Sequence, residues 1–148
     1  MSQFNFHKNY SKVPPPRWNL SIIQKLIEIY KLWHEFLPHF HKTSRYTLGA
    51  KIDSLFVEIA ELIFIASYSA RQEKLPFLQQ SSAKLDLMKF FLQLSWEIKA
   101  LDSKKYSLLS EKIDEIGKML GGWMRQFTKE NPAEGREKQR EFRTNAKR

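Results

Sequence analysis

Large apolar side chains recur at steps of three and four residues in four successive stretches of this chain. That spacing restricts the fold more than any other feature. In residues 20–37 the series is Ile22, Leu26, Ile29, Trp33 and Phe36, and Pro38 marks the stop. In residues 47–70 it is Leu48, Ile52, Leu55, Ile59, Leu62 and Ala66. A third stretch can open at Leu75, because Pro76 then sits in a first turn where its missing N–H costs nothing. Its series is Leu87, Phe91, Leu94, Ile98 and Leu101, with Leu85, Met88 and Leu92 widening the face. The fourth has Asp102 or Ser103 as an N-cap and runs through Tyr106, Leu109, Ile113, Ile116, Leu120 and Trp123. Such alternation is the seam of helices packed side by side at about 20°. The short connections favour antiparallel neighbours. We therefore expect an all-α fold, an antiparallel up-down-up-down four-helix bundle over residues 19–128 with basic N- and C-terminal arms.

The flanks differ in character from the bundle. Residues 1–18 form a basic arm in which Pro14, Pro15 and Pro16 block a helix, and Lys8, Lys12 and Arg17 face no acid. Residues 129–148 carry seven basic and four acidic residues, with Phe142 as the one large apolar side chain, too little for a core. Other classes are excluded by composition. With no cysteine there is no disulfide framework, thiolate metal site or cysteine nucleophile. The longest uncharged runs reach nine residues, as in 62–70, where a membrane span needs about 18. Residues 1–12 lack an apolar signal core, so a cytoplasmic location without membrane association is expected.

The chain carries 25 Lys+Arg against 16 Asp+Glu, a net charge of +9. Antiparallel order sets the first connection beside the third, gathering Lys42, Arg45, Lys51, Lys99, Lys104 and Lys105 at one end. The outer face of the fourth helix adds Lys112, Lys118 and Arg125, interleaved with Glu111, Asp114 and Glu115. These nine basic residues are the candidate nucleic-acid contacts, since a basic footprint attracts phosphates without sequence preference. A solvated face with intrahelical ion pairs is the alternative, and charge alone leaves both open.

Catalytic and metal chemistry find little support. His34, Glu35, His39 and His41 resemble a helical zinc motif only superficially, because Pro38 stands where the second histidine would be needed. Carboxylate pairs such as Glu58 with Glu61, or Asp114 with Glu115, lie on polar faces among lysines, and no serine has a histidine at activating spacing. We expect no enzyme activity, no cofactor and no metal. Gly117 and Gly121 are unusual inside a helix, where each costs about 1 kcal/mol relative to alanine. Either the helix ends after Leu120, or Gly117, Gly121 and Trp123 face another helix, which makes them the candidate subunit interface.

Three stretches carry a family resemblance: Ser44-Arg45-Tyr46-Thr47-Leu48-Gly49 running on to Lys51-Ile52-Asp53; Lys84-Leu85-Asp86 with Trp96-Glu97-Ile98-Lys99-Ala100-Leu101; and Glu115-Ile116-Gly117-Lys118-Met119-Leu120-Gly121-Gly122-Trp123. Over about residues 20–125 the chain resembles the accessory variability determinant proteins of diversity-generating retroelements. These belong to a wider four-helix-bundle family that includes proteins encoded in 23S ribosomal RNA intervening sequences. The resemblance implies a homopentamer that binds the retroelement's reverse transcriptase and RNA or DNA and supports mutagenic reverse transcription without catalysing chemistry itself. The alternatives are a protein of the intervening-sequence branch, with a ribosomal RNA context, or a structural assembly protein.

Overall fold

The computed structural model describes residues 21–128, Arg140 and residues 143–146. The N-terminal arm lies outside the described residues, as does most of the C-terminal tail, whose described positions are helical. Four long helices carry the fold: α1 (Ser21–Phe36), α2 (Ala50–Tyr68), α3 (Lys74–Glu97) and α4 (Ser103–Thr128). Each packs on its sequence neighbours and α1 closes the ring onto α4, as an antiparallel bundle requires. Among the described residues there is no strand, and no helix is long and apolar enough to cross a membrane.

The α1 and α4 seams fall where the spacing places them. Ile22, Leu26, Ile29 and Trp33 are buried in α1, and Leu109, Ile113, Ile116 and Leu120 in α4. In α2 the seam passes through Ile63 in place of Leu62, and Phe56 joins it. The α3 reading needs a larger correction. The buried stripe is Leu78, Ser81, Leu85, Met88, Leu92 and Ser95, whereas Leu87 and Ile98 are exposed and Phe91 and Leu94 only half-buried. The physical reason is the two serines. Both are fully buried, so the inner stripe of α3 is completed by two small polar residues. A reading that follows only large apolar residues passes over them and settles on a neighbouring face.

Helix ends follow local chemistry. Pro38 sits in a 3₁₀ turn, Leu37–His39, directly after α1. Pro76 occupies the first turn of α3. Asp102 caps α4, its Oδ1 accepting the Lys105 backbone N–H at 2.8 Å. Lys74 closes the other end of α2, its Nζ donating to the carbonyls of Ala66 at 2.6 Å and Ser67 at 3.3 Å. α4 does not end after Leu120 but continues through its glycines to Thr128.

Candidate nucleic-acid interface

Two fastened corners meet at one end of the bundle. In the first, Phe40 is buried beneath the 3₁₀ turn with its ring 5.8 Å from that of Trp33, and the Trp33 Nε1–H donates to Asp53 Oδ1 at 3.2 Å. The Arg45 guanidinium donates to the backbone carbonyls of Pro38 and Phe40, tying α2's approach to the end of α1. A π-helical turn, Arg45–Gly49, leads into α2. At Gly49 a Cβ would stand 3.0 Å from Leu37 Cδ1, so the close crossing is made for glycine. Arg45, Gly49 and Asp53, drawn from the stretch that carries the family resemblance, are thus the fastenings of this corner.

The second corner ends α3. Lys99 adopts a positive φ of 62°, a left-handed conformation usually taken by glycine. The chain then turns back so that the Ala100 and Leu101 N–H groups donate to the Ser95 carbonyl at 2.9 and 3.2 Å. Trp96 stacks on Tyr106 at 5.4 Å and donates to Ser103 Oγ at 3.0 Å, which braces the start of α4.

Between the corners lies a polar cleft of about 160 Å3, lined by Phe36, His39, Phe40, Lys99, Ala100, Leu101, Asp102 and Lys105. Lys105 Nζ stands 5.5 Å over the Phe36 ring and 3.6 Å from Asp102 Oδ2. The Asp102 carboxyl is held below its ordinary value by the Lys105 N–H and by that ammonium. The structure therefore brings Lys99 and Lys105 together, with His39 beside them, as the antiparallel order implies. Lys42, Lys51 and Lys104 are exposed around the same end, whereas the Arg45 guanidinium is committed to the backbone.

The outer face of α4 is partly neutralised. Lys25 of α1 meets Glu115 at 2.8 Å, and Lys89 of α3 meets Asp114 at 3.2 Å. Lys112 and Lys118 flank Glu115, and the Lys25 hydrogen bond, with the charges around it, holds that carboxyl below its ordinary value. Among the described residues, neither Lys112 nor Lys118 makes an ion pair within 4 Å, and neither do Lys42, Lys51, Lys99, Lys104 or Arg125. The nine basic positions do not form one patch. Lys104 and Arg125 are about 32 Å apart along α4 at 1.5 Å per residue.

Gly117, Gly121 and Trp123 divide as well. A Cβ on Gly117 would meet Lys89 Nζ at 3.5 Å and Leu85 Cδ2 at 3.6 Å, so this glycine faces α3 of its own chain. Gly121 and Gly122 face open space, and Trp123 packs half-buried against the core. The histidines go three ways. His34 lies against Tyr30 with ring centroids 6.3 Å apart, His39 lines the cleft, and His41 Nδ1 is 2.9 Å from Thr43 Oγ1. Among the described residues no group of three His, Cys, Asp or Glu side chains is placed to hold a metal ion. Sequence reasoning missed His39 and Phe36 as cleft residues and the partners Lys25 and Lys89, since a single helix does not state its neighbour.

Fold and surface together define an all-α bundle protein that presents cationic corners and charged helix flanks. The chain belongs to the bAvd-like family, whose pattern it matches over residues 20–127, a span that takes in all four helices. No curated protein matches it.

Proposed function

We propose that this protein is an accessory subunit of a diversity-generating retroelement, binding the element's reverse transcriptase and its template RNA or cDNA in the cytoplasm. Membership of the bAvd-like family carries the reading. The net charge of +9 supports it, with Lys99 and Lys105 converging at one end and Lys112 and Lys118 displayed along α4. In this reading the protein makes and breaks no bonds. Its lysines neutralise phosphates, a helical surface docks the polymerase, and the chemistry belongs to the polymerase. The working form is a homo-oligomer, a pentamer by family resemblance, with Gly121 and Trp123 as candidate contacts between subunits.

The test is solution mass by light scattering, with and without template RNA, at low and high salt. A pentamer that captures RNA and releases it in salt, and that retains the reverse transcriptase in a pull-down, is the expected result. A monomer indifferent to RNA and polymerase refutes the proposal.

A further inference from the structure

The largest cavity is an apolar groove of about 620 Å3 between α1 and α2, and its one lysine and one glutamate, Lys31 and Glu61, favour a ligand of neither sign. The polar cleft at the basic end is smaller and chemically more definite. Three groups that donate to anions line it: Lys99, Lys105 and His39. They come from three places in the chain. Lys99 follows the end of α3, Lys105 lies in the first turn of α4, and His39 closes the 3₁₀ turn after α1. Phe40, Ala100 and Leu101, all buried, supply its apolar wall.

Asp102 is the one acid in the lining, and it is already engaged. Its Oδ1 accepts the Lys105 N–H at 2.8 Å, and its Oδ2 stands 3.6 Å from Lys105 Nζ. At that distance the ammonium keeps its donors for another acceptor. Lys99 makes no ion pair within 4 Å among the described residues. Lys99 is also where the backbone leaves its ordinary range, with a φ of 62° at a position that glycine takes at lower cost. Strain of this kind gathers at functional sites, and here it sets a lysine in the cleft lining.

Volume and charge narrow the ligand. The cleft's 160 Å3 lies below the roughly 300 Å3 at which sites for drug-sized ligands begin, so a whole nucleoside does not fit inside it. A single phosphate group does. A phosphate monoester carries about −1.5 to −2 at neutral pH and suits two ammonium groups. A phosphodiester within a strand carries a single negative charge, and its two flanking sugars need room on both sides.

We propose that the cleft between the two corners binds a phosphate monoester, with Lys99 and Lys105 donating to its oxygens and the His39 ring completing the set. The monoester belongs to the end of an RNA or cDNA strand or to a free mononucleotide. Only the strand-end source rests on the function proposed above.

The test compares one short, internally labelled RNA by fluorescence anisotropy in three forms: with a 5′-phosphate, with a 3′-phosphate, and with hydroxyls at both ends. Calorimetric titration with adenosine monophosphate alone is the separate arm. An advantage of about tenfold for a phosphorylated strand identifies a strand end. Binding of adenosine monophosphate without strand preference identifies the free nucleotide. Lys99→Gly and Lys105→Gln should each remove whichever effect is seen, and because Lys99→Gly relaxes the backbone, its loss of binding is not loss of fold. Lys112→Gln, on the outer face of α4, should weaken all three strands by a common factor and leave their ratio unchanged. Equal binding of the three strands with no binding of adenosine monophosphate overturns the proposal and leaves RNA binding standing. A phosphate advantage that survives both cleft variants overturns it as well. If no strand binds while adenosine monophosphate does so through Lys99, the function proposed above falls and the cleft assignment holds.

Discussion

At the scale of single residues, two buried polar groups show how unequal such groups are. The Trp33 indole is fully buried, stacks on Phe56 at 5.9 Å and gives its N–H to Asp53. Trp33→Phe keeps an aromatic ring but removes the donor and part of the volume, and should cost about 1–3 kcal/mol in urea unfolding. Ser81 is the opposite case. Its hydroxyl is buried with no hydrogen-bond partner, which is unfavourable. Ser81→Ala should stabilise the fold by about 1 kcal/mol, through both the lost desolvation penalty and better helix propensity. Denaturant titration that shows destabilisation would mean the hydroxyl has a partner.

At the scale of elements, the corners concentrate the unusual backbone. Lys99 holds a left-handed conformation that glycine takes at lower cost, and its side chain lines the polar cleft. Lys99→Gly should raise stability by about 1 kcal/mol while weakening RNA binding, a split readable by parallel unfolding and filter-binding measurements. A fall in both would assign the residue to the fold alone. In α4, Gly121 faces open space, so Gly121→Ala should stabilise the isolated subunit by about 1 kcal/mol. A simultaneous fall in light-scattering mass would place Gly121 between subunits. The α4 seam was legible because its buried face consists of large residues alone. The α3 seam was not, because Ser81 and Ser95 take two of its six buried positions, and small polar residues carry no apolar signal.

At the scale of the whole molecule, charge dominates. Replacing Lys104, Lys105, Lys112 and Lys118 together by glutamine should weaken RNA binding and reduce the slope of log K against log salt by about 3 for single strands. Unchanged binding would remove these residues from the interface. Stability in acid depends on three carboxylates: Glu58, paired with Lys84 at 2.9 Å, Glu115, paired with Lys25, and the Asp102 cap. The Lys84 hydrogen bond holds the Glu58 carboxyl below its ordinary value, the Lys25 hydrogen bond does the same for Glu115, and the Lys105 N–H for Asp102. Their stabilisation is complete above those ordinary values and is lost as pH falls through the lower folded ones. Because the groups are solvent-exposed, the thermal midpoint should decline gradually below about pH 4 rather than collapse, and high salt should flatten the decline.

The sequence by itself determined the fold class, the number and approximate ends of the helices, and the antiparallel order that brings the first and third connections together. These follow from local chemistry: the period of the apolar residues, the prolines at helix ends and the Asp102 cap. Only the tertiary structure decided which face of α3 is buried, that Arg45 clamps a corner, that Lys25 and Lys89 neutralise acids of α4, and that a groove opens between α1 and α2. Each of these depends on a partner far along the chain. The period of a helix states that it has an inner face, and the neighbour it meets states which face that is.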